Sequence, residues 1–354
     1  MTNAPPQRHI ERLADLSPGD EGLFTAFAYL GRVRAGQTKD GRPFADVELS
    51  DASARVGAKV WADTPKALAE LDDVTVGEVV KLRFEARSYR GALQLRITRI
   101  RPTTVDDDYD RTAVLGEGYD RIEGLAFRTL VFDIETVPNT DLRRVPPTIA
   151  QAVSKHAERN DGDETKVMSL SPLFGKVVSV AVGEGEGPVA DCQPTVLVVP
   201  PPGADVEAFP GWMRPMSEPE LLRCFWLLAQ RAELVVSFNG RGFDVPFLVA
   251  RSLVHKIAAR VDLLSNPYAL RPHLDLYRVL QPGGRGLGPA SLDVLCWALG
   301  YASPKGEMDG SMVAPTYARG DITTIAEYNA GDVVATTAVY QHLREHLLRY
   351  RADW

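Results

Sequence analysis

Two units in series are what the sequence predicts: a small all-β barrel, then an α/β unit whose mixed sheet carries helices on both faces. Three observations carry this. Five strand-like segments and one short helix fill residues 21–101. A buried-strand pattern stands at 129–137, and beyond it short strands give way to helices. The length of 354 residues suits about two domains.

In the first unit, strand one is Gly22–Val33, followed by a turn at Lys39-Asp40-Gly41-Arg42-Pro43. Strand two is Phe44–Leu49, with Phe44, Val47 and Leu49 as its apolar positions, and strand three is Ala54–Trp61. Pro65–Leu71 reads as a short helix, Glu78–Tyr89 as strand four, and Ala92–Ile100 as a strictly alternating strand five. The order β-β-β-α-β-β is that of an OB-fold barrel. From Phe44 and Asp46 through the Tyr89–Leu95 turn, the stretch resembles OB-folds that bind single strands or tRNA. Such barrels stack bases on aromatics beside a basic groove. Most of the aromatics are expected in the barrel core, with Trp61 and Tyr89 exposed for stacking. A dimerisation or regulatory role for the barrel competes with this reading.

Charge is unevenly spread. Residues 1–103 hold 16 Lys/Arg against 14 Asp/Glu, while the remainder holds 24 against 33. Lys81, Arg83, Arg87, Arg90, Arg96, Arg99 and Arg101 crowd one window with Glu85 as its only acid. Alternating with apolar residues on paired strands, they would form a ribbon of one sign along which a phosphate backbone can run. Arg83, Arg87 and Arg90 are therefore candidate substrate contacts.

The expected organisation is a barrel over 1–103, an acidic linker over 104–126 and an α/β unit over 127–354. The linker stretch Asp106-Asp107-Asp108-Tyr109-Asp110 reads as too acidic to join a core. Later expected helices are 147–159, a capped helix from Ser217 through Gln230, Asp244–Val254, Ala290–Leu299 and Thr323–Leu348, with 160–166 a polar insert. Expected strands are Val177–Val182, Thr195–Val199 and Leu234–Phe238. Cys192, Cys224 and Cys296 are odd in number and lack metal-ligand spacing, which reads as reduced thiols of a cytoplasmic protein. No segment of 18 apolar residues and no apolar N-terminal h-region is present, so neither a membrane partner nor a secretory signal is expected.

Chemistry concentrates at three places. In the strand Thr129–Val137, Asp133 and Glu135 interrupt an apolar run two residues apart and so project from one face. Two acids in a central strand are costly unless a cation lies between them, and a divalent metal is the simplest choice. Acids that reach solvent or an Arg at a strand end are the bland alternative. Next, Val235–Phe238 runs into the turn Asn239-Gly240-Arg241-Gly242-Phe243 and delivers Asp244 to a helix start, where an acid can serve simply as a cap. Finally, Tyr328 and Asp332 stand at i and i+4 on one helix face, with Asp332 among apolar neighbours.

Together, Asp133-Ile-Glu135, Asn239-x-x-x-Phe243-Asp244 and Tyr328-x-x-x-Asp332 resemble, in order and spacing, the three motifs of the DEDD superfamily of 3′–5′ exonucleases. The similarity is nearest to the proofreading exonuclease domain of family-B DNA polymerases and spans about 127–350. Ser291-Leu292-Asp293, Lys305 and Asp309-Gly310-Ser311 match further pieces without defined roles. Glu327 occupies the place of the histidine subclass's base, so the resemblance is to the tyrosine subclass.

The resemblance implies an RNase H-like fold. It implies that Asp133, Glu135, Asp244 and Asp332 hold two Mg²⁺ or Mn²⁺ ions and that Tyr328 orients the attacking water. Thr136, Asn239 and Phe243 would hold the terminal nucleotide. The implied activity is hydrolysis of single-stranded nucleic acid, DNA ahead of RNA, from the 3′ end to nucleoside 5′-monophosphates, without an attached polymerase. An exoribonuclease is one alternative and a non-catalytic single-strand-binding protein another. The Gly283–Gly288 stretch lacks the register of a dinucleotide site, and His255 and His273 lack partners at ligand spacing.

Overall fold

The computed structural model describes residues 8–17, 19–89, 92–159, 162–266, 268–281, 288, 290–303 and 308–354, the side chains of 88, 89 and 92 excepted. The chain divides into two compact units, 1–120 and 121–354.

The first unit is a closed barrel of five strands: β2 (Gly22–Gln37), β3 (Pro43–Ser50), β4 (Arg55–Trp61), β5 (Val79–Tyr89) and β6 (Ala92–Pro102), with a two-residue edge strand β1 (Arg8–His9). A long β2 makes closure possible. Its first half pairs with β5 and its second half with β3, and β4 meets β6 in parallel. Alternation sends Phe24, Ala26, Ala28 and Leu30 inward against Val47, Leu49, Val60, Leu82, Phe84 and Ile97. The helix Pro65–Glu70 plugs this core with the fully buried Ala67.

Phe27 and Tyr29 have the opposite parity and face outward. They are covered by Val114 and Leu115 of the helix Arg111–Leu115 and by Tyr109, whose ring stacks on Phe27 at 4.7 Å. The acidic stretch is therefore not a free linker along its first half. Asp107 is drawn down by Arg101, which donates twice to it at 2.7 Å, and by Lys81 at 3.0 Å, and these cations hold its carboxyl well below the usual range. Its charge, which argues against joining a core, is what anchors it.

The second unit holds a six-stranded mixed sheet: β7 (Thr129–Pro138), β8 (Gly175–Glu184), β9 (Thr195–Val198), β10 (Met213–Pro215), β11 (Leu234–Ser237) and β12 (His273–Asp275) in the order 10-9-8-7-11-12. The neighbours β7, β8 and β9 are antiparallel, while β11 lies parallel to both β7 and β12. This is the RNase H-like sheet that the motifs imply. The helix Glu218–Arg231 covers one face, with Phe225 tilted on Phe132 at 4.9 Å, and the long helix Ile322–His346 covers the other through Ile325, Ala326 and Val333. Residues 164–170, placed partly in a polar insert by sequence, form a helix capped by Asp163.

One buried ion pair ties the first face together. Arg251 donates from Nε and Nη2 to Glu218 at 2.8 and 2.7 Å, and that carboxylate also accepts the Val177 N–H and meets His255. His273 is fully buried between Ser237 Oγ and the Leu263 carbonyl, and burial pushes it down to about 4, so it is a neutral core residue.

Candidate metal and nucleic-acid site

The strand β7 lies between β8 and β11, so its side chains reach only the two helical layers. Phe132 and Ile134 take one side. Asp133 and Glu135 take the other, beneath the long helix, and there Asp332 meets them. One carboxylate oxygen from each of the three lies within 4.8 Å of the others. Asp244, the first residue of Asp244–Val254, is 5% exposed and lines the same cleft. Its carboxylate accepts the Ile134 N–H. The cap position of this helix is Phe243, without a side-chain cap bond, so Asp244 is its first helical residue and reaches the strand that carries Asp133 and Glu135.

Four acids in one cleft repel one another. Burial raises Asp133 and Glu135 well above the carboxylate range, with neighbouring carboxylates adding to the shift. Asp244 is pushed up to about 7, mainly by burial. Among the described residues lining the cleft there is no Lys or Arg. Convergent hard oxygens with no protein cation suit a divalent metal.

Tyr328 lines the cleft one turn before Asp332, and its hydroxyl donates to that carboxylate. Burial first, and then Asp332, Glu135 and Asp133, push the phenol above its ordinary value. In the metal-free cleft the phenol is thus held protonated and acts as a donor. Glu327 is exposed.

Two residues that sequence reading missed hold this arrangement. Asn329, fully buried beside Tyr328, donates from Nδ2 to Asp133 Oδ2 at 2.7 Å. Its own Oδ1 accepts from Ser179 Oγ at 2.8 Å, and Ser179 pairs with Glu135 across β8. An Asn set among the apolar and small residues of the third motif was the available signal. Asp275 is the second. It accepts N–H bonds from Asn239 and Arg241 at 3.0 Å and from Tyr277 and Arg278, fixing the turn that leads to Asp244.

In that turn Asn239 sits at φ 59°, the left-handed region. A Cβ on Gly240 would lie 2.2 Å from Ser237 Oγ, which explains a glycine there. Asn239 and Phe243 line the cleft together with Phe238 and Tyr277, which the sequence did not single out. Thr136 lines it too, with its hydroxyl donating to the Ser169 carbonyl at 2.7 Å. Ser291 and Gly310 line the cleft beside them, and Ser291 caps Leu292–Leu299. Lys305 and residues 283–287 lie outside the described residues.

On the barrel, a groove of about 450 Å³ is lined from β2, β3, β4, β5 and β6. Arg32, Arg34, Lys59, Arg87 and Arg96 line it against Asp46 and Glu48. Phe44 is not core. Out of phase with Val47 and Leu49, it faces outward at 5.7 Å from Trp61, and Lys59 Nζ sits 4.8 and 5.4 Å from the two rings. The ring rests on Gly36, where a Cβ would approach to 2.6 Å. The one-sign ribbon does not survive folding. Lys81 and Arg101 pair with Asp107, Arg99 with Glu70, and Arg87 with Glu85. Arg83 is exposed, bonded to Thr98 and off the groove. Arg90 and the Tyr89 side chain lie outside the described residues.

Residues 211–352 match the family described as "predicted 3′–5′ exonuclease related to the exonuclease domain of PolB". The match holds Asp244, Tyr328 and Asp332, while Asp133 and Glu135 precede it and are joined to it by the fold. Two curated relatives are named 3′–5′ exoribonuclease YhaM. That of Halalkalibacterium halodurans is 36% identical over 83 residues, 22% of this chain and 24% of the relative. That of Oceanobacillus iheyensis is 28% identical over 114 residues, 32% of this chain and 35% of the relative. The chain thus spans a quarter to a third of the curated relatives it matches. A family-B DNA polymerase from Pyrobaculum calidifontis covers 90% of this chain and 46% of its own, at 15% identity and TM-score 0.42. The second OB-fold domain of a Methanococcus maripaludis replication protein A covers 29% of this chain at 15% identity and TM-score 0.20. Among the described residues no helix is long and apolar enough to cross a membrane.

Proposed function

We propose that this chain is a metal-dependent 3′–5′ exonuclease of the tyrosine type acting on single-stranded nucleic acid. The observation that carries the reading is the convergence of Asp133, Glu135 and Asp332 within 4.8 Å, with Asp244 and Tyr328 in the same cleft. Asp133, Glu135, Asp244 and Asp332 would hold two Mg²⁺ or Mn²⁺ ions. Such ions supply an activated water and stabilise charge on the leaving 3′-oxygen. The protein's own contributions are positional. Tyr328, held protonated, orients the water by hydrogen bond, and Asn329 fixes the Asp133 carboxylate. Phe238, Phe243 and Tyr277 offer flat faces to the terminal base, and Asn239 a polar edge. Products would be nucleoside 5′-monophosphates.

The barrel groove would hold the single strand, with bases stacked on Phe44 and Trp61 and phosphates near Lys59, Arg34 and Arg87. DNA is the first reading of the substrate. RNA is the second reading, favoured by the names of the two curated relatives.

A time course on 5′-labelled single-stranded DNA and RNA with Mg²⁺, Mn²⁺ or EDTA tests this. A ladder shortening from the 3′ end with metal alone is expected, and the faster substrate decides between DNA and RNA. Intact strands that are nevertheless shifted in a gel would replace the enzyme with a binding module.

A further inference from the structure

A strand entering the catalytic cleft finds four carboxylates and, among the described lining residues, no Lys or Arg. Its phosphates need cations elsewhere. A second pocket supplies them. About 520 Å³ in volume, within the range of nucleotide-sized sites, it lies between the helices Pro147–Glu158 and Glu164–Leu170 and the turn leading into β8. His156, Arg159 and Lys166 bring cationic or ionisable heads to it, and Val153, Leu170 and Phe174 give it an apolar wall.

The two pockets share a wall. Leu170, 55% exposed, lines both. The Thr136 bond to the Ser169 carbonyl ties that helix end to the residue after Glu135. At Gly175, where a Cβ would lie 2.7 Å from the Met168 carbonyl, the returning chain is held hard against the same turn. A basic, half-apolar pocket next to an acidic cleft complements a nucleotide, with a phosphate for the cations and a base for Leu170 and Phe174.

We infer that this pocket binds a nucleotide of the substrate strand upstream of the scissile 3′ end, with Arg159 and Lys166 on its phosphates. The inference rests on the exonuclease reading and adds to it a strand-binding subsite within the second unit.

The test uses the full chain and the salt dependence of kcat/KM on a single-stranded dodecamer, DNA and RNA, for wild type, R159A/K166A and R159K/K166R. Each lost phosphate contact on a single strand lowers the log–log salt slope by about 0.7. The alanine pair should lower it by about 1.4 and cost about 25-fold in kcat/KM at 0.1 M salt. The exchanged pair, which keeps both charges, should keep the slope. Both side chains are exposed, so folding is not at stake. An alanine pair with the wild-type slope, whatever its rate, overturns the inference and leaves the exonuclease reading standing. Wild type that leaves both dodecamers intact defeats the exonuclease reading, and the inference with it.

Discussion

On the proposed function Asp133 is the residue around which the chemistry would turn, and its setting makes definite demands. Asp133→Ala or Asp332→Ala should reduce hydrolysis at least about a thousandfold while leaving single-strand binding nearly intact. Metal-dependent cleavage persisting in purified Asp133→Ala would sink the assignment. Asn329 acts on the site only through Asp133, so Asn329→Ala should weaken Mn²⁺ affinity about 10- to 100-fold, read by metal titration without substrate. Unchanged metal affinity would reduce Asn329 to a packing role. The acids also set a pH dependence for the metal-free protein. Asp244 has its carboxyl raised from 3.8 to about 7, so between those values the folded chain keeps a proton that the unfolded chain releases. That contribution is fully present below the unfolded value and is lost as pH rises toward and past about 7. Asp244→Asn removes the charge and keeps an acceptor for the Ile134 N–H. In EDTA at pH 8 it should raise the melting temperature by about 3 °C or more, and with saturating Mg²⁺ the order should reverse. A variant no more stable than wild type in EDTA would show that the buried Asp244 carboxylate carries no such penalty.

At the scale of elements, the Glu218–Arg251–His255 cluster joins two helices beneath the sheet, with side chains of Glu218 and Arg251 only 7% and 5% exposed. Breaking such a pair strands a buried charge. Glu218→Ala should cost about 3–5 kcal/mol in denaturant unfolding, whereas a loss below about 1 kcal/mol would mean that water reaches Arg251. Glu218 is held below its ordinary value by Arg251 and the Val177 N–H, against the opposing effect of burial, so its support is lost as pH falls. The elements themselves were largely legible. Strict alternation marked β6, apolar runs between turn residues marked the other barrel strands, and the capping box at Ser217 with Glu220 marked the start of its helix. The short strands β10 and β12 and the 164–170 helix were not, because three to seven residues carry too little periodicity to stand out from a loop.

For the whole molecule, the working division assigns strand capture to the barrel groove and cleavage to the acidic cleft. Phe44→Ala/Trp61→Ala should weaken single-strand binding by about 1–3 kcal/mol for each base unstacked, measured by fluorescence anisotropy on a fluorescein-labelled strand. Affinity equal to wild type would give the barrel another task, dimerisation among them. Phe44 shows how such a surface escapes a sequence reading. A phenylalanine in a strand looks like core, and only its parity against Val47 and Leu49 turns it outward.

The sequence by itself determined the kinds of unit, the strand that carries Asp133 and Glu135, and the four acids with Tyr328. Those features depend on local periodicity and motif spacing, which the chain states residue by residue. Only the tertiary structure decided which charges meet. It drew Asp107 onto Lys81 and Arg101 and so broke the basic ribbon, brought Asn329 to Asp133 across 196 positions of chain, and set a basic pocket beside the acidic cleft. Electrostatic partnership depends on distance through space, and no one-dimensional pattern encodes that distance.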